Sequence, residues 1–115
     1  MNAIAEWVDA RERRPRTGYP VAAAISGRYA AEPGEASGPD FWLVMPMYFT
    51  DHHIAADGTA YHDCFVDYDG VIRMPHGGSS AETVTHWAAL PPLPGMTVHS
   101  TFGEDAQTAM RNALG

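Results

Sequence analysis

The sequence predicts an α+β domain: a small antiparallel sheet of four or five strands with one or two helices, N-terminal and C-terminal. Three observations lead there. Two Asp-Gly pairs, Asp57-Gly58 and Asp69-Gly70, separate runs of strand-forming residues, and this pair is a strong hairpin signal. The stretch "FWLVMPMYFT", Phe41 to Thr50, is apolar almost throughout. The tail "STFGEDAQTAMRNALG" carries its apolar residues at helical spacing instead. Hairpin-joined strands with terminal helices pack as an antiparallel sheet covered at one face or end. With 115 residues, the chain fits one domain over 1–115.

Taken in order, residues 2–13 form the first expected helix. Asn2 is its cap, and Ile4, Trp7, Val8 and Arg11 fall near one face. Pro15 ends it. An irregular turn is the rival for so short a span. "YPVAAAISGRYA" is the first strand, with Pro20 at its start. A loop rich in Gly, Pro and Ser follows, from Glu32 to Asp40. The Phe41–Thr50 strand, being apolar at both parities, should be covered on both faces, by core or by a partner. Pro46 cannot donate to a ladder and places that position at an edge or bulge. "YHDCFV" and Val71 to Met74 are the next strands, and "VTHWAAL" is the last. In the tail (100–114), Ser100 or Thr101 is the expected cap. Phe102, Ala106, Ala109, Met110 and Ala113 form the apolar stripe.

Charge narrows the function classes. The formal net charge is −7, all seven basic residues are arginine, and Glu32 to Glu82 holds nine acids against the single base Arg73. An anionic middle argues against direct nucleic-acid binding, which needs cations to neutralise phosphates. It favours a partner with a basic surface, or solubility alone. One cysteine, Cys64, excludes an internal disulfide. The N-terminal "MNAIAEWVDARERRP" lacks the apolar run of a signal peptide, and no stretch reaches the roughly 20 apolar residues of a membrane helix. The expected location is the cytoplasm, with no membrane partner.

The two ends carry a motif each. "WVDARERRPRTGYPV" fits W-[IV]-x-V-x-x-R-x-P-x-x-G-x-x-V through Trp7, Val8, Arg13, Pro15, Gly18 and Val21. "VTHWAALPPLP" fits a closing T-H-W-x-x-L-P motif through Thr85, His86, Trp87, Leu90, Pro91 and Pro94. Together they resemble a family of small phage and prophage proteins, domain of unknown function number five hundred and fifty-one. Ala10, Arg14 and Ala89 depart from the family pattern, and the resemblance spans about residues 7–94. It implies a small accessory protein of phage origin in the cytoplasm of a host bacterium, and no particular activity.

Three chemistries are candidates. His52, His53, His62 and Cys64 lie on either side of the Asp57-Gly58 turn and offer donors that zinc accepts. Their spacing matches no established zinc signature, and His52 and His53 cannot both point to one side of a strand. Cys64 as a nucleophile is disfavoured by Asp63 and Asp67, which suppress the thiolate. Asp57, Asp63, Asp67 and Asp69 supply carboxylates for acid-base work, but Asp57 and Asp69 have turn roles. The Arg11–Arg16 run is interleaved with Glu12 and reads as a solvated helix end. No residue is assigned a catalytic role, and no cofactor is expected.

Binding remains the preferred function. Aromatics cluster on the long apolar strand, and aromatic residues are favoured at interface centres. The expected partner-binding residues are Glu32, Glu35, Asp40, Trp42, Tyr48, Asp67 and Asp69. The expected target is a host protein with a basic surface, a defence or nucleic-acid-handling factor that the acidic face would inhibit. Two alternatives stand beside it: a metal-binding or hydrolytic domain centred on His52, His53, His62 and Cys64, and an assembly protein that self-associates as a homodimer. His86 and Trp87 fall on opposite faces of their strand, which makes Trp87 a packing anchor.

Overall fold

A computed structural model describes residues 6–115. Its elements are β1 (Val8–Asp9), β2 (Pro20–Arg28), β3 (Asp40–Ile54), β4 (Ala60–Val66), β5 (Ile72–Pro75), β6 (Thr83–Ala89) and α1 (Gly103–Leu114). The α+β class holds, but the sheet is not open. Strands β2 to β5 form an antiparallel meander, β6 pairs antiparallel with β2, and β5 pairs parallel with β6. That last pairing closes a five-stranded barrel. β1 is an extra strand on the same side of β6 as β5, beyond the end of β5.

The hairpins follow from local chemistry. Gly58 and Gly70 adopt φ +87° and +83°, values that cost a residue with a Cβ and that these turns require. Asp57 accepts the Thr59 N–H, and Asp67 accepts those of Asp69 and Val71, so each turn is fastened by its own aspartate.

The core comes from alternation. Val21, Ala23 and Ile25 of β2 point inward with Met47 and Phe49 of β3, Phe65 of β4 and Val84 of β6. Phe49 and Phe65 meet edge to face at 5.3 Å. Phe41, Leu43, Met45 and Trp87 pack around this cluster. Closure is reinforced by Arg73 on β5. Its guanidinium donates to Asp67 at 2.9 Å and to Glu82 at 2.7 Å, tying the β4–β5 turn to the start of β6. The Arg73 and Asp67 side chains are only 10% and 11% exposed.

Four expectations are corrected. First, no helix occupies residues 6–13. Val8 and Asp9 are drawn into the edge of β6, opposite Trp87 and His86, and a turn follows. A free ladder edge outweighs a short helical pattern, because isolated short helices are marginal. Residues 2–5 of that expected helix lie outside the described residues. Second, of the two covers expected for β3, the core supplies one only: Trp42, Val44 and Pro46 face outward and are exposed, which leaves that face to a partner. Third, the helix cap is Phe102, without a side-chain bond, and not Ser100 or Thr101. Fourth, α1 buries none of its residues, and Phe102 is 80% exposed. The radius of gyration is 17.0 Å, against about 13 Å for a compact chain of this length, because this C-terminal arm stands away from the barrel.

The Pro46 expectation is met. The β3–β4 ladder begins at Tyr48, so residues 40–47 of β3 pair with β2 alone.

Candidate functional site

The outward residues of three strands and the N-terminal segment build one groove. Across the sheet, Val44 of β3 stands opposite Ala24 of β2, Ala24 opposite His86 of β6, and His86 opposite Asp9 of β1. Trp42 lies one outward position along from Val44, and Trp7 directly precedes β1. The groove encloses about 380 Å³ and is lined by Trp7, Ala24, Trp42, Leu43, Val44 and His86. Small Ala24 forms the floor, and the indoles form walls.

A bulge makes this arrangement. The β2–β6 register shifts between Ala24 and Ile25, leaving Thr85 unpaired in the ladder. A bulge re-aims the side chains beside it. The Thr85 hydroxyl donates to the Ala24 carbonyl at 3.2 Å and accepts the Trp42 Nε1–H at 2.9 Å. His86 Nδ1 lies 3.0 Å from the same oxygen. A hydroxyl has one proton and two lone pairs. With its proton given to Ala24, Thr85 accepts from both Trp42 and His86 Nδ1–H. That places a proton on His86 Nδ1. Trp42, although 68% exposed, is thus held by a bond and set 6.2 Å from the His86 ring.

Behind the groove, the two terminal motifs form one unit. Trp87 points to the core side, opposite His86. Its Nε1–H donates to the Arg13 carbonyl at 2.8 Å, and the Arg13 guanidinium lies 5.7 Å from the ring centroid. Pro15 and Ala10 are buried beneath this segment. Arg11 bonds Asp9 through its side chain and its backbone N–H, and together these hold the Asp9 carboxyl down at about 2.

The expected binding residues scatter. Trp42 lines the groove. Glu32 and Glu35 lie exposed in the β2–β3 loop that leads to it, and Asp40 pairs with Arg28 at 2.8 Å. Tyr48 is half-buried opposite Val66, and Asp69 is exposed in its turn. Asp67 is taken up inside the fold. Burial opposes its charge, but the Arg73 guanidinium and two backbone N–H groups outweigh that and hold its carboxyl below the usual range. Of the nine acids between Glu32 and Glu82, Asp40, Asp67 and Glu82 make ion pairs. The other six, Glu32, Glu35, Asp51, Asp57, Asp63 and Asp69, are exposed without one among the described residues.

The four-donor metal cluster does not assemble. His52 faces His62 directly across the β3–β4 ladder, but His53 faces Tyr61 on the other side of the sheet. Cys64 is fully buried opposite Thr50, and burial, with Asp63 beside it, pushes its thiol up. Among the described residues no three His, Cys, Asp or Glu side chains converge to hold a metal ion. The thiol has neither access nor an activating cation, so it is no nucleophile.

Sequence reasoning missed Trp7, Thr85 and His86 as groove residues. The signal was present in that the terminal motifs hold Trp7, Thr85 and His86, but only the β1–β6 pairing and the bulge in β6 bring these to one groove. No helix is long and apolar enough to cross a membrane among the described residues. Searches of protein-family profiles, curated proteins and solved structures find no match to this chain.

Proposed function

We propose that the chain is a protein-binding module. It takes an extended segment of a partner, with an apolar side chain seated between Trp7 and Trp42 and basic residues on either side. The observation that carries this reading is the exposed Trp42 indole, fixed by Thr85 over an alanine floor. An exposed aromatic held in one orientation loses little entropy on binding and offers a large contact area. Tryptophan is also among the residues that dominate interface energetics.

Charge supports the basic flanks. Glu32 and Glu35 lie exposed in the loop preceding Trp42, without an ion pair among the described residues. The one base of the acidic segment, Arg73, is consumed internally. Trp42, Glu32, Glu35 and Asp40 remain the proposed contact residues on this side, with Asp69 and Tyr48 further along the surface. The terminal motifs support a phage setting, in which the partner is a host defence or nucleic-acid-handling protein whose basic surface is blocked.

The test is selection from a displayed library of random peptides on the wild-type protein, with Trp42→Ala as counter-selection. The expected consensus has an aromatic or aliphatic anchor flanked by Arg or Lys. No enrichment, equal enrichment on Trp42→Ala, or an acidic consensus overturns the proposal.

A further inference from the structure

We propose that His52 and His62 form a two-imidazole binding site for a late first-row divalent ion on the β3–β4 hairpin. The two residues are directly opposed in the ladder, with ring centroids 5.0 Å apart and planes at 50°. Both are exposed. An ion held at about 2.0–2.1 Å from each imidazole nitrogen needs those nitrogens roughly 3 Å apart. A centroid separation of 5.0 Å brings the two imidazoles within reach of one such ion. The site uses two of the residues the sequence offered for metal, and it leaves the remaining coordination positions to water.

The backbone beneath the pair is specialised. Between Thr50–Cys64 and His52–His62 the ladder omits Asp51 and Asp63. Asp63 has φ +50°, the only non-glycine positive φ among the described residues. On the other strand, Thr50 Oγ1 donates to the His52 carbonyl at 2.8 Å and lies 3.2 Å from the His52 N. Both histidines therefore follow a local irregularity that is fixed by a side-chain bond on one strand and a left-handed residue on the other.

The electrostatics favour a dication. Asp51 and Asp63 adjoin the two histidines in sequence, Asp57 sits at the hairpin tip, and none makes an ion pair among the described residues. The two strands of the hairpin contribute no arginine or lysine. Imidazole donors select copper, nickel and zinc over magnesium and calcium, and affinity rises towards Cu²⁺. Ligation requires neutral rings, so acid releases the ion. This inference is independent of the groove.

The experiment is calorimetric titration of untagged protein with Cu²⁺, Ni²⁺ and Zn²⁺, beside paramagnetic broadening of the imidazole NMR signals. One ion per chain is expected, tightest for Cu²⁺, with broadening strongest at His52 and His62. Chelation makes the second bond intramolecular, so His52→Ala or His62→Ala should weaken binding on the order of a hundredfold. His53→Ala should leave it within about twofold, since that ring lies on the other face. These positions are on the surface, and far-UV circular dichroism verifies that the variants fold. Absence of stoichiometric binding, full binding in the His52→Ala/His62→Ala double variant, or equal loss in His53→Ala overturns the proposal.

Discussion

The Trp42 indole donates its Nε1–H to the Thr85 hydroxyl at 2.9 Å, joining β3 to the bulge in β6 across the whole width of β2. This bond spans 43 residues of sequence and fixes the orientation of a side chain that would otherwise turn freely in solvent. Thr85→Val removes the acceptor. The hydroxyl also bonds the Ala24 carbonyl and His86, so the global cost should be about 1–3 kcal/mol, at roughly 1 kcal/mol net per hydrogen bond. Time-resolved fluorescence anisotropy should show a more mobile indole in the variant. An unchanged anisotropy decay would mean that packing alone holds Trp42.

Trp87 plays the opposite part on the same strand. Fastened to Arg13 and packed against the core, it holds the N-terminal segment to the barrel. Trp87 is half-buried, so Trp87→Ala should cost roughly 2–3 kcal/mol in urea unfolding, below the cost of a fully buried indole. A variant as stable as wild type would remove Trp87 from the structural account.

The Arg73–Asp67–Glu82 group closes the barrel between β5 and β6. Asp67→Ala leaves Arg73 with Glu82 as its one acidic partner among the described residues, so it should cost about 1–3 kcal/mol, the worth of a charge-assisted bond lost from a half-buried group. Asp67 also shapes acid sensitivity. Its carboxyl is depressed in the fold, so its contribution is complete above the unfolded value of about 4 and fades as pH falls through the lower folded value. Asp9, held at about 2 by Arg11, acts in the same direction down to that pH. Urea midpoints should therefore drop below about pH 4 in the wild type and drop less steeply in Asp67→Asn. Parallel pH profiles would show that Asp67 is not a source of the acid sensitivity.

The arm carrying α1 buries no residue of that helix. It rests on a turn closed by the Leu93 N–H to Val98 carbonyl bond, with a space of about 260 Å³ between that turn and Ala106, Ala109 and Met110. Twelve residues are too few for a stable isolated helix. Hydrogen exchange at residues 103–114 should be near that of a free peptide while β2 and β3 stay protected. Removal of those residues should leave the barrel's melting temperature within about 2 °C. Loss of the barrel on truncation would contradict this.

How much of this was legible follows from which contacts are local. The hairpins were readable because Asp57-Gly58 and Asp69-Gly70 specify their own turns. The strand β2 was readable from its apolar run Val21 to Ile25, but not its core face, since Ala22, Ala23 and Ala24 are identical in size and polarity. The barrel was not, since the parallel β5–β6 pairing depends on Arg73 reaching Glu82, and no local pattern announces it. The helix expected at Trp7 and Val8 failed for the same reason: β6 offered a ladder edge. Trp42 was legible as a binding residue, but its place beside Val44 on an exposed face was not, because an apolar strand does not announce which parity faces outward. That exposed apolar face is what marks the groove. Asp67, expected on the binding face, could not be separated from Asp69 without knowing where Arg73 lies.

The central claim is that the groove binds a basic, apolar-anchored segment through Trp42. The most direct measurement is calorimetric titration of a library-selected peptide into wild type and Trp42→Ala at low and high salt. One-to-one binding is predicted, weakened as salt screens the acidic rim. Trp42→Ala should lose about 2 kcal/mol or more, roughly thirtyfold in Kd. Equal affinity in Trp42→Ala, or binding indifferent to salt, would contradict the account.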